Sequence, residues 1–258
     1  MLRIAANGIE INVAVEGEGP AILLLHGFPH TWQVWSAVIP ELARSRRVIA
    51  PDLRGLGATT RAPRGYDGAT IAEDARALLD ALGERTADVV ALDLGVQPAV
   101  LLALRHPDRV RRLVVMEAFL EPPAAPPWWF GFHRTPGLAE RVLAGHEADY
   151  LDFFLRAGTH SGQGIDPKIR EAFIASYVGT EALRCAFEHY RAMPETARQL
   201  AAEKGRLTMP VTALGARPVG DRLHQQLKPI ADDLTGHVNE ECGHIIPLDR
   251  PRELLAWL

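Results

Sequence analysis

A chain of 258 residues suits one mid-sized domain, with or without an insertion, and can bury most of its apolar surface. Hydrophobic residues make up 47% and charged residues 23%, and a net charge of −4 leaves no basic footprint for nucleic acid or an anionic membrane. No apolar run approaches the ~20 residues needed to span a bilayer.

In chain order, Ile9–Glu16 alternates as a strand does, and Ala21–Leu25 is a short apolar run ending at His26-Gly27. Val34–Leu42 predicts a helix, Arg47–Ala50 a strand, and Ile71–Leu82 a helix stopped by Gly83. Asp88–Leu92 is another apolar strand, Val96–Arg105 a helix closed before Pro107, and Arg112–Met116 a strand. This rhythm predicts an α/β fold with a mostly parallel sheet covered by helices on both faces.

The rhythm breaks at Glu121–Pro127, which reads Glu-Pro-Pro-Ala-Ala-Pro-Pro and can continue neither a helix nor a strand. Beyond it only helical patterns occur, at Gly137–Ala144, Ala148–Arg156, Pro167–Tyr177, Glu181–Ala192 and Glu195–Lys204. Strands resume at Val211–Leu214 and His237–Glu240, with helices at Leu223–Asp233 and Arg252–Leu258. The expected organisation is a core of residues 1–120 and 206–258, interrupted by a helical cap over 121–205.

Between Phe119 and Gly205 lie 12 of the chain's 17 aromatic residues. Most are explained by the core that a small helical unit needs. Trp128-Trp129-Phe130 is less easily explained, because consecutive helical residues point in different directions, so three rings in a row meet more than one surface. A substrate pocket is one such surface. Cys185 and Cys242 match no zinc or redox spacing, and the ten histidines form no cluster, so no metal or cofactor is expected. Met1-Leu2-Arg3-Ile4 lacks the apolar core of a secretory signal. Reduced thiols in the cytoplasm are therefore expected, with a secreted form left open.

Four features carry chemistry. Val89-Val90-Ala91-Leu92-Asp93-Leu94-Gly95 is a strand running into a helix with an acid at the turn, the layout that lifts a nucleophile clear of a sheet. A helix N-cap would also use Asp93, so its reading depends on the other three. Leu25-His26-Gly27-Phe28-Pro29 follows an early strand, where a sharp turn aims the Phe28 amide inward to form, with the Leu94 amide, an oxyanion hole. Glu241-Cys242-Gly243-His244 lies after the last strand, where the order nucleophile, acid, base places a general base. The acid that orients His244 is Glu117, at the end of an apolar strand, or Asp221, which serves equally as the N-cap of the next helix. Glu117 is favoured, because an acid there has little other cause.

These motifs identify a resemblance. Together with Ala50-Pro51-Asp52-Leu53-Arg54-Gly55-Leu56-Gly57, they resemble the epoxide hydrolase and dehalogenase branch of the α/β-hydrolases over nearly the whole chain. Met116-Glu117-Ala118 and Phe187-Glu188-His189-Tyr190-Arg191-Ala192 resemble the Cif-like bacterial epoxide hydrolases more specifically. The resemblance implies an α/β-hydrolase fold with an inserted helical cap, and a Tyr190 hydroxyl that polarises the epoxide oxygen. It also implies a small apolar epoxide and water as the partners, without nucleic acid or membrane; a homodimer is left open. The chain departs from the pattern at Ala91-Leu92, where Gly-His is usual, and at Trp129, which aligns with the second ring-opening donor, a histidine. Trp128, Trp129 and His133 are the candidates for that donor and for contact with substrate. A dehalogenase would share Asp93, Glu117 and His244, but Leu94 stands where such enzymes place tryptophan or arginine. A non-catalytic ligand-binding protein on the same fold is the rival from another class.

Overall fold

The computed structural model describes residues 1–258. Eight strands form one sheet: β1 (Leu2–Ala6), β2 (Ile9–Glu16), β3 (Ala21–Leu25), β4 (Arg47–Pro51), β5 (Ala87–Leu92), β6 (Val110–Met116), β7 (Val211–Ala216) and β8 (Leu234–Asn239). Their order is β1-β2-β4-β3-β5-β6-β7-β8. The β1–β2 and β2–β4 pairs are antiparallel and all others parallel. Every residue of β3 is buried, and alternate residues enter cores on opposite faces: Leu23 and Leu25 on one side, Ile22 and Leu24 on the other. A strand covered on both faces reads as an unbroken apolar run, which is why β3, β5 and β6 were visible in the sequence.

Eleven α-helices follow in chain order: α1 (Ile39–Leu42), α2 (Gly68–Ala81), α3 (Val96–Arg105), α4 (Trp128–Arg134), α5 (Leu138–Leu143), α6 (Glu147–Ala157), α7 (Pro167–Tyr177), α8 (Thr180–Ala202), α9 (Arg222–Leu227), α10 (Ile246–Asp249) and α11 (Pro251–Leu255). Apolar residues of α2 and α3 fill the core on the Leu23 face, and those of α1, α10 and α11 the core on the Ile22 face. The chain has the α/β-hydrolase fold. No helix is long and apolar enough to cross a membrane.

Several boundaries differ from expectation for identifiable reasons. Val34–Leu42 is not one helix but a 3-10 turn over Trp32–Trp35 followed by α1, because Pro40 has no N–H to donate within a helix and sits in the first turn of α1 instead. The opposite happens at Pro194, where two expected helices are the single helix α8. Pro194 cannot donate to the Tyr190 carbonyl, yet both halves of α8 are tied to the core. On one side His189 Nε2 lies 3.0 Å from the Arg54 carbonyl; on the other, Thr196 Oγ1 accepts from the Gly68 amide (2.8 Å) and Gln199 Oε1 from the Ala69 amide (2.9 Å). The segment 121–205 carries α4 to α8 and no strand. Helix α4 was not anticipated, nor was β1, which pairs with β2 across a turn in which Asn7 (φ 46°) and Gly8 (φ 77°) are both left-handed. That is the Asn-Gly hairpin turn.

Candidate active site

The carboxyl ends of β3, β5, β6 and β7 converge below the helices of 121–205, enclosing a cavity of about 340 Å³. Asp93 follows β5 with φ +54°, a backbone conformation that a non-glycine residue adopts only at a cost. The turn closes because its neighbours are small. A Cβ on Gly27 would lie 2.2 Å from Asp93 Oδ1 and 2.5 Å from the Leu94 nitrogen, and one on Gly95 would lie 2.7 Å from the Leu25 and His26 carbonyl oxygens. The strand-to-helix turn therefore fits against the loop after β3 only with glycine at both places.

The Phe28 amide donates to Asp93 Oδ1 at 2.8 Å, and Asp93 Oδ2 faces His244 Nε2 at 3.3 Å. On the far side of the imidazole, Nδ1 lies 3.2 Å from Glu117 Oε2, while Glu117 Oε1 accepts from the Ala216 amide at 2.6 Å. Glu117 is buried and has φ +52°, so β6, like β5, ends in a left-handed turn that lifts a carboxylate to the site. Asp221, the other candidate acid, is exposed at the start of α9 and accepts from Gln225 Nε2 at 2.8 Å, away from His244. The geometry thus brings Glu117, and not Asp221, to the histidine.

The electrostatics follow. Burial alone would raise the Asp93 pKa, but the hydrogen bond and charge of His244, with the Leu94 amide, outweigh it and hold the carboxyl below its ordinary value. Burial would likewise depress His244, yet Asp93 and Glu117 together raise it to about 10. The resting pair is a carboxylate facing an imidazolium. Nearby, His30 is fully buried with neither ring nitrogen partnered, and burial pushes its pKa down to about 3. Its ring centroid lies 6.4 Å from that of His244. His30 was missed in the sequence, where it is one more residue after Phe28-Pro29.

Tyr190, on α8, lines the cavity with its hydroxyl free of any hydrogen bond within the protein. Burial, followed by the Asp93 charge, raises its pKa well above the ordinary phenol value, so it keeps its proton. Trp129 also lines the cavity, with Phe130, Phe154 and Pro122, Pro123 and Pro127 of the connector. Two expectations need correction. Trp128, at the first position of α4, does not line the cavity: it is 58% exposed and packs beside Phe153 on the outer surface. His133 does not reach the cavity either. It is buried behind it, stacked on Phe187 at 4.2 Å and edge-on to Tyr190 at 4.4 Å, with Nε2 2.6 Å from the Tyr150 hydroxyl. Burial pushes its pKa down to about 3, so it is a neutral packing residue and not a proton donor.

Residues 20–178 match the family model for the α/β-hydrolase fold. The chain belongs to the α/β-hydrolase family. It is 31% identical to a soluble epoxide hydrolase of Corynebacterium sp. (strain C12), over 95% of this chain and 91% of that one. It is 32% identical to a fluoroacetate dehalogenase of Burkholderia sp., over 71% of this chain and 66% of that one. The solved structure of the epoxide hydrolase CorEH superposes with a TM-score of 0.93 at 28% identity, covering 99% of this chain and 95% of that one. This hydrolase is therefore epoxide hydrolase-like, with dehalogenase relatives as well.

Proposed function

We propose that this hydrolase converts an apolar epoxide to a vicinal diol through a covalent ester on Asp93. One observation carries the reading: a carboxylate with one oxygen held by a backbone amide and the other beside a histidine, in a cavity lined by a protonated tyrosine. Asp93 Oδ2 attacks a ring carbon, the carbon–oxygen bond of the epoxide breaks, and Tyr190 protonates the emerging alkoxide, with Trp129 as the second hydrogen-bond donor. The tyrosinate regains its proton from the His244 imidazolium through solvent. Proton loss from His244 is favoured at that moment, because esterification removes one of the two charges that raised its pKa.

Neutral His244, oriented by Glu117, then takes a proton from water as the oxygen of that water attacks Asp93 Cγ. The charge that develops on Oδ1 is held by the Phe28 and Leu94 amides. Collapse breaks the Cγ–Oδ2 bond, His244 protonates the departing alcohol oxygen, and the new carboxyl returns its proton to His244. The carboxylate–imidazolium pair is restored, and the net change is epoxide plus water to diol. A carboxylate suits attack at saturated carbon because its product is an ester that water can cleave; a serine would yield an ether.

The test is intact-protein mass spectrometry of His244→Gln mixed with an epoxide panel and, separately, a haloalkane panel. An adduct of epoxide mass on Asp93, with diol formed by the wild type, is expected. Halide release without diol would assign a dehalogenase instead, and ligand binding without adduct or turnover would indicate a binding protein.

A further inference from the structure

The cavity wall is mostly apolar, and its ionisable groups other than Tyr190 belong almost entirely to the carboxylate–imidazole cluster: Asp93, Glu117, His30 and His244. The exception is Arg222, the only lysine or arginine that lines it. Arg222 begins α9 directly after the loop that contributes Pro218 and Val219 to the wall, and it is exposed where Asp93 is half-buried. Its guanidinium makes no ion pair and no hydrogen bond within the protein, and it lies over the Phe119 ring, 6.0 Å from guanidinium carbon to ring centroid. The adjacent carboxylate is no partner, because Asp221 accepts from Gln225 instead. Fifteen of the other twenty-four arginines form ion pairs with carboxylates, and none of the nine that do not lines the cavity. Arg222 is held by a ring face that leaves its five N–H donors unspent.

From this arrangement we infer that the substrate is an amphipathic epoxide whose carboxylate is bound by Arg222 at the cavity entrance while its oxirane reaches Asp93. The inference rests on the hydrolytic reading above and adds the substrate's class. A planar fork of donors matches a carboxylate in two parallel hydrogen bonds, and a single cation balances a monoanion. Phe119, Pro122, Phe130, Met193 and Val219 line the space shared by the two groups, so the part of the ligand between its charged end and its reacting end is hydrocarbon. Arg222 is the one cation in the cavity not already paired with a carboxylate, since His244 lies between Asp93 and Glu117.

The experiment compares terminal epoxides of medium-chain alkenoic acids with their methyl esters, on the wild type and on Arg222→Gln. The acid-to-ester ratio of kcat/KM is expected to fall about three- to tenfold in the variant, through KM, and further in Arg222→Glu. Added salt should shrink the wild-type ratio, because the ion pair is exposed. An equal ratio in wild type and variant overturns the inference while leaving epoxide hydrolysis standing. Calorimetry provides a readout that needs no turnover: a saturated medium-chain carboxylate should bind the wild type more tightly than the matching primary alcohol, and lose that advantage in Arg222→Gln. If no epoxide is hydrolysed, the catalytic reading fails and this binding comparison alone decides the role of Arg222. A carboxylate that binds no better than the alcohol overturns it.

Discussion

The two sides of the cavity are built by different means. On the sheet side, Asp93 and Glu117 each occupy a left-handed turn at a strand end, glycines fix how closely the loops approach, and both carboxylates accept from a backbone amide. On the helical side, rings pack against rings, with His133 stacked on Phe187 and edge-on to Tyr190. The sheet side positions atoms through the backbone and tolerates almost no change. The helical side shapes a volume through side chains, and, Tyr190 apart, its residues are replaceable as long as the volume is kept.

This contrast breaks if substitutions on the two sides have similar effects. Asp93→Ala should lower turnover by at least about 10⁴-fold in steady-state diol formation, since no other group at the site can form the ester. His244→Gln should slow release of the ester about 10²–10⁴-fold while ester formation proceeds, so that the adduct accumulates in mass spectra. Tyr190→Phe should slow ester formation about 10²-fold without changing decay of a preformed adduct, which rapid-quench measurements separate. Trp128→Ala should change kcat/KM less than about twofold, because its ring lies outside the cavity. A large loss there would mean that the outer aromatic surface closes over the substrate.

How much was legible in the sequence follows the same division. The acid at the strand-to-helix turn, the His26-Gly27-Phe28-Pro29 turn and the late Gly243-His244 are local patterns, because backbone geometry demands particular residues at particular offsets. The helical region has no such grammar. Neighbouring aromatics in sequence do not say which ring faces inward, and Trp128 and Trp129 point to different surfaces although they are adjacent. Helix α8 escaped division because tertiary bonds from Thr196 and Gln199 hold the helix on beyond Pro194, and no window of sequence contains those partners. Arg222 was invisible for the reason that makes it informative: its significance is a place in the cavity wall without an ion-pair partner, which only the folded chain reveals. The β1–β2 turn is different, since Asn7-Gly8 is a recognised hairpin signal that was present and not read.

The smallest expected effect separates His244 from His133 by the sign of a slope. His244 in the sheet has its pKa raised to about 10 against an ordinary value near ~6.5, so the folded state binds the proton more strongly than the unfolded state. Its stabilisation is complete below about pH 6.5 and is lost progressively as pH rises through about 10. His133 among the helices has its pKa lowered to about 3, so the unfolded chain takes up a proton first and stability falls as pH drops below about 6.5. Melting curves across this range should therefore show His244→Gln flattening the alkaline limb and His133→Phe flattening the acid limb, though His26, His30 and His189, also lowered by burial, keep part of the latter. The phenylalanine ring preserves the stack on Phe187 while removing the titrating nitrogens. If both variants flatten the same limb, or neither does, the charge states assigned to these two histidines are wrong. The proton cycle between Asp93 and His244 would then need a different starting point.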